Sequence, residues 1–342
     1  MKQAPSHFPL RELLVESTKN RATSDITIWS TGLVSLRTNK AITSREMLGI
    51  ADSWATMMAV EFPKVKRDAV GGHTTTLQLS PQMRFRVNWS RNYLGESLAI
   101  RPLPQVVPDA ETLRLPLFLR DYLLGLKGGI VIIGGPTGSG KSTTIACMLK
   151  WIAEARGGKI ITIEDPIEFV HKNNARTIFE QRELGTHVMS YADGLKEALH
   201  MNPDIIEVQE IREPAAAEVA LSAALSGHLV LASMHAYTAA TTPQRYLSIL
   251  NPSMEDIGAR DALASCLEAV VLQRLVPGRD GLVPIFEIMT FRDQQMNRLA
   301  SMERLVRDGK WVALRQEIEV GKQQGMCLWD DSERQRREEG LI

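Results

Sequence analysis

The sequence predicts an α/β chain, a parallel sheet covered by helices on both faces and preceded by a smaller α+β domain. Three observations predict it. The segment Gly135-Pro136-Thr137-Gly138-Ser139-Gly140-Lys141-Ser142 fills the pattern G-x-x-x-x-G-K-[ST] directly after an apolar run and directly before a helical stretch. Downstream of it, strand-like and helix-like segments alternate, the signature of βαβ units. Upstream, short segments of period two surround one amphipathic stretch and end at a proline-studded linker. The 342 residues, 44% of them hydrophobic, suffice for about two domains with their own cores.

In chain order, residues 1–100 form the first domain. Residues 25–29 and 33–37 alternate as strands, 44–58 read as an amphipathic helix capped by Ser44, and 82–89 alternate again. Pro102, Pro104 and Pro108, with Pro116 beyond, hold the backbone extended, so 101–116 read as an interdomain linker. The core, 117–290, opens with the buried strand 130–133, the glycine loop and the helix 143–150. It continues with strands at 159–163 and 204–208, a helix at 214–225 and a strand at 228–233. Residues 291–342 are helical in pattern, and the charge run 330–339 reads as a solvated helix face.

Forty basic and forty acidic residues cancel, so no global field draws the chain to nucleic acid, which is not expected as a partner. Cys147, Cys266 and Cys327 form no C-x-x-C pair; neither a disulfide framework nor a zinc site is encoded, and a reducing cytoplasm is the expected compartment. The N-terminus lacks the apolar stretch of a signal peptide, and no run approaches the ~20 apolar residues of a membrane span. Association with a membrane is therefore expected through a partner.

A loop of this kind turns its amides inward and opens a helix whose positive N-terminus faces phosphate groups. Gly135 through Ser142, with Thr143, are the expected nucleotide-binding residues; Lys141 would reach the β/γ-phosphates and the Ser142 hydroxyl would ligate Mg²⁺. A nucleotide and Mg²⁺ are the cofactors expected from the loop. Two acidic strand ends follow the loop, at the edge where an open α/β sheet presents ligands. One carries Glu210, placed to orient Mg²⁺ through its waters. The other carries Glu164, Asp165 and Glu168, where a carboxylate can polarise an attacking water.

These residues resemble the secretion ATPase superfamily, within it the PilT-like type IV pilus retraction ATPases and their relatives in conjugation and type IVB secretion. Residues 135–144 are similar to that family's Walker A, 163–171 to its Asp box, 203–212 to its Walker B and 226–235 to its His box; 84–88, 181–185 and 273–277 add weaker matches outside the pocket. The resemblance implies ATP as the nucleotide, a RecA-like P-loop core behind a PAS-like N-terminal domain, a homo-hexameric ring and an inner-membrane platform protein as partner. It further implies Glu168 as general base, Glu210 as the Walker B glutamate, His228 and His235 as nucleotide sensors, and Arg84, Arg86 and Arg101 as cations for the γ-phosphate. Gln209 stands where the family usually has glycine, Lys196 and His200 where it has arginines. Retraction, assembly and secretion or conjugation all remain open as the work performed. Two other classes stand beside the motor: a nucleic-acid translocase on a similar core, and a nucleotide-binding scaffold that does not hydrolyse.

Overall fold

The structure, a computed structural model, describes residues 9–342 except 20–22, 39–40, 48, 63–64, 66–71, 81–82, 105 and 251–256. The chain divides into two compact units, Met1–Val106 and Val107–Ile342.

In the first unit, α1 (Pro9–Lys19) precedes β1 (Thr23–Trp29), β2 (Leu33–Thr38), β3 (Ile42–Glu46), α2 (Ile50–Glu61), β4 (His73–Ser80), β5 (Met83–Asn92) and β6 (Gly95–Pro102). The strands pair antiparallel in the order β3-β2-β1-β6-β5-β4. Period-two alternation sends Ile26, Ile28, Phe85, Val87, Trp89, Leu98 and Ile100 to one face, buried with Leu10 and Leu14 of α1 and Trp54, Met57 and Met58 of α2. Arg84 and Arg86 alternate with these along β5 and so take the other face, where Arg86 stands in register with Arg101 of β6.

The expected helix at 44–58 begins later. Residues Ile42–Glu46 pair with β2 as an exposed edge strand, and Ser44 caps nothing. Helix α2 starts at Ile50 behind Gly49, whose φ of 88° is left-handed. The reason lies in the periodicity: Ile50, Trp54, Met57 and Met58 fall on one helical stripe and are buried, whereas residues 42–46 supply nothing to it. Gln82, at the start of the expected strand 82–89, lies outside the described residues. Helix α1 and strands β4 and β6 carry no expectation from the sequence.

The second unit contains α3 (Phe118–Gly125), β7 (Gly129–Gly134), α4 (Lys141–Ala155), β8 (Gly158–Glu164), β9 (Thr177–Glu183), α5 (Tyr191–Leu199), β10 (Ile205–Val208), α6 (Pro214–Leu225), β11 (Leu229–Met234), α7 (Thr242–Leu250) and α8 (Ile257–Cys266). The hairpin β12 (Leu267–Gly278) and β13 (Gly281–Thr290) follows, then α9 (Ala300–Arg307), α10 (Trp311–Val320), a 3₁₀ turn at Gly321–Gln324 and α11 (Trp329–Glu338). The seven strands run β13-β12-β7-β11-β10-β8-β9, all parallel except β13. The expected parallel sheet is present, extended by an antiparallel edge strand.

Because the sheet is covered on both faces, each inner strand divides its apolar residues between two cores. Ile130, Ile132, Ile206 and Val230 pack with α6 residues such as Ala217, Ala220 and Ala224. Val131, Ile133, Ile160, Ile205 and Leu231 pack on the opposite face with Ile145, Met148, Leu149 and Ile152 of α4. Part of the expected linker belongs to this second core: Ala110 and Leu115 are buried in it, and Pro102 still pairs within β6. The charge run at 330–339 is also more than a solvated face. Arg336 is only 6% exposed and donates to the carbonyls of Pro284 (3.2 Å) and Arg114 (2.7 Å), tying α11 to the sheet edge and to the entry of α3.

Candidate active site

Four strand ends meet at the carboxyl edge of the sheet. β7 runs into the glycine loop, β8 into the acidic turn, β10 into Gln209-Glu210 and β11 into His235. Sheet topology alone brings these segments together, at the edge where such sheets bind ligands.

The loop needs its glycines for steric reasons. At Gly135, φ is 143° and a Cβ would lie 2.1 Å from the Gln273 carbonyl oxygen; at Gly140, the left-handed residue before α4, it would lie 2.9 Å from Gln273 Nε2. Gln273 of β12 thus forms the floor of the loop, and its side-chain oxygen accepts from Thr144 Oγ1. Pro136, Thr137 and Gly138 form the exposed crown; Ser139 is buried beneath it and Thr143 is half-buried in the first turn of α4. Lys141 Nζ reaches back over the loop and donates to the carbonyls of Gly135 and Pro136, both at 3.0 Å. Burial lowers its pKa, an effect opposed by Glu210 and Glu168 nearby and reinforced by Arg212.

Ser142 Oγ donates to Glu168 Oε1 at 3.1 Å, so the hydroxyl expected to ligate the metal touches the carboxylate expected to act as base. Across the loop, Glu210 is bound by Arg212 through Oε2, which raises the guanidinium's pKa. His235 Nε2 stands 3.1 Å from Glu210 Oε1, at ion-pair distance without hydrogen-bond alignment, and Nδ1 lies 3.3 Å from the Gly135 carbonyl. His235 therefore stands between the Glu210 carboxylate and the loop. Among the described residues no cluster of three or more His, Cys, Asp or Glu side chains would hold a metal by itself. The hydroxyl and carboxylate oxygens here suit Mg²⁺, a hard cation that commonly takes one or two protein ligands and completes its shell with phosphate oxygens and water.

Beneath Glu168 lies a polar layer of which the sequence reading named Glu164 but not Thr162 or Glu207. Strand parity places Thr162, Glu164 and Glu207 on the α4 face, under Ile145, Ala146 and Leu149. Glu164 accepts from Thr162 Oγ1 (2.6 Å), Gln181 Nε2 (2.9 Å) and Glu168 N (3.3 Å); burial pushes its pKa up to about 7 against the pull of these donors. Glu207, 4% exposed, stands well above the carboxylate range, through burial first and then through Glu164 and Glu168. Burial also lowers the pKa of His171, stacked on Phe179, to about 4. Gln181 and Gln273, which the motif matches set outside the pocket, in fact support the acidic turn and the loop floor. Their signal was available as polar residues at inward-facing strand positions.

His228 is not brought to the loop. It precedes β11 at the amino edge of the sheet, whereas His235 follows β11 at the other; at ~3.3 Å per residue the two lie on the order of 20 Å apart. Its Nδ1 lies 3.2 Å from Ala223 O and 3.0 Å from Ser226 Oγ, at the C-terminus of α6, and its carbonyl accepts from Gly129 N. It is a helix-end residue away from the loop. Arg84, Arg86 and Arg101 sit together on the exposed face of the first unit, where Arg101 is held by Asp25 (2.7 Å).

Comparison with known proteins shows the family and the fold. The family model "Type II/IV secretion system protein" matches residues 71–309. The uncharacterized protein YggR of Escherichia coli (strain K12) is 36% identical over 267 residues, covering 78% of this chain and 79% of that protein. The type IV pilus retraction ATPase PilT of Pseudomonas aeruginosa is 34% identical over 249 residues, 72% of this chain and 69% of its own. A crystal structure of the pilus retraction motor PilT with bound ADP superposes with a TM-score of 0.82 at 30% identity, over 97% of this chain and 93% of that one.

Proposed function

Since the chain belongs to the type II/IV secretion system protein family, we propose that it is a Mg²⁺-dependent ATPase motor doing mechanical work on a type IV pilus or a related secretion or conjugation machine. The observation that carries this reading is the 3.1 Å contact from Ser142 to Glu168, with Glu210 and His235 facing the same loop. A nucleotide-binding scaffold has no need of two carboxylates on either side of a phosphate loop.

The inward amides of the glycine loop and the N-terminus of α4 bind the phosphates, and Lys141 exchanges its two carbonyl partners for phosphate oxygens. Ser142 and Glu210 would hold Mg²⁺, which when bound would supply neutralising charge on the phosphate oxygens. Glu168 takes the proton of the attacking water, a step that contributes typically 10²–10⁴-fold when the base is well placed. His235, touching both Glu210 and Gly135, reports the state of the loop to the Walker B strand. Arg84, Arg86 and Arg101 are assigned to charge stabilisation at the γ-phosphate, the place of an arginine finger. The working form is a homo-hexameric ring in the cytoplasm, held at the inner membrane by a platform protein; among the described residues no helix is long and apolar enough to cross a membrane.

The test separates the carboxylates. Glu168→Gln should bind Mg·ATP and fail to hydrolyse it, whereas Glu210→Gln should also shift the Mg²⁺ concentration needed for half-maximal turnover. Identical Mg²⁺ titrations for the two variants would refute the division of roles.

A further inference from the structure

The ladder between β8 and β10 does not stop where the strands do. Gln209 N donates to Ile163 O (3.0 Å), continuing the parallel register of Val208 with Ile163. The next rung would bring Asp165 N to the Gln209 carbonyl; instead that carbonyl accepts from Ser233 Oγ as the chain turns toward β11, where Ile211 N donates to Ser233 O (2.8 Å). The Gln209 side chain takes the rung instead. Its Oε1 accepts from Asp165 N and its Nε2 donates to Pro166 O (3.2 Å), so one amide stands in for a peptide group at the point where the strands splay. Glu168 lies just beyond that turn, and Glu210 is the next residue after the clasp.

We propose that Gln209 is a positioning residue that clasps the turn bearing Glu168 to the strand end bearing Glu210, fixing the spacing of the two carboxylates across the phosphate loop. A glycine at this position, as at the corresponding position of the family pattern, leaves neither bond. Two partners on one rigid planar group restrain both translation and rotation of the turn, while a backbone rung supplies a single bond. The inference rests on the hydrolytic reading above, since Glu168 needs accurate placement only if it acts on water.

The experiment uses the full chain with Gln209→Ala and Gln209→Met, the second keeping most of the volume without either bond. Steady-state phosphate release, equilibrium binding of a fluorescent ATP analogue, and site-resolved amide hydrogen exchange are measured on each. Displacements of about 1 Å can cost on the order of 10²-fold, so kcat should fall tenfold or more in both variants while nucleotide Kd stays within about twofold. The Asp165 amide should exchange faster, with Ile211, bonded to Ser233 O, retaining its protection. Wild-type kcat in both variants, or equal losses of kcat and affinity, would overturn the proposal. If the unaltered protein releases no phosphate, the hydrolytic reading is what fails; unchanged Asp165 exchange in Gln209→Ala would then still overturn the clasp.

Discussion

Replacing Glu164 with Gln should make the protein gain stability relative to wild type as pH rises. Glu164 is 8% exposed, and burial raises its pKa from 4.5 to about 7. A group whose folded-state pKa exceeds its unfolded value contributes most stability below the unfolded pKa and loses it as pH climbs through the folded one. At 1.36 kcal/mol per unit, that displacement corresponds to roughly 3 kcal/mol in full, of which about 2.5 kcal/mol is lost between pH 5 and pH 8. Glutamine has no such titration. It is also close in shape, and its oxygen can keep accepting from Thr162 Oγ1 and Gln181 Nε2, which both donate to one carboxylate oxygen. The contact with Glu168 N at 3.3 Å faces the other oxygen, and its loss costs about 1 kcal/mol at every pH. The assay is denaturant unfolding of both proteins at pH 5, 6, 7 and 8. The difference in stability, wild type minus variant, should fall by roughly 2–3 kcal/mol across the range, and the melting temperatures should diverge by about 5–10 °C. Parallel curves would refute the assignment of Glu164 as a carboxyl that must ionise in a buried layer.

Lys141→Ala removes charge-assisted bonds of about 1.5–3 kcal/mol to the phosphates, so ATP affinity should fall roughly 10- to 100-fold and turnover should vanish; near-normal phosphate release would sink the nucleotide site. Arg84→Ala, Arg86→Ala and Arg101→Ala should depress kcat more than nucleotide binding, at least one of them by about tenfold, and unaltered kcat in all three would remove the first unit from catalysis. His235→Ala should lower kcat whereas His228→Ala should leave kcat and nucleotide Kd unchanged and lower only the melting temperature, since His228 touches the end of α6 and not the loop. A kcat loss in His228→Ala as large as that in His235→Ala would contradict the placement of the two residues at opposite edges of the sheet.

Much of the site was legible in the sequence because its parts are local. The glycine loop announces itself by eight consecutive residues whose conformational demands, left-handed φ at Gly138 and Gly140 and a Cβ-free approach at Gly135, only glycine meets cheaply. The βαβ alternation and the helix Pro214–Leu225, which has proline in its first turn, followed from signals of the same short range. The acidic strand ends pointed to Glu168 and Glu210 and motif resemblance added His235; all three lie around one loop. It also added His228, which sits within the same sequence motif yet at the far end of the strand, because a motif runs along the chain whereas a site gathers at one edge of a sheet.

What tertiary structure decided was everything that depends on which strands are neighbours. The order β12-β7-β11-β10-β8 appears nowhere in the chain order, and it sets Gln209 against Asp165 and Pro166, and Gln273 under Gly135. Glu207 shows the difference most plainly. In sequence it is one more acid near an apolar strand end. In the fold, strand parity turns it inward under α4 beside Glu164, where water is excluded and its proton is held well above the carboxylate range. A sequence carries its own periodicities, which fix local conformation and the face a residue takes; the energy of a charge depends on what packs over that face, and only the assembled sheet supplies that.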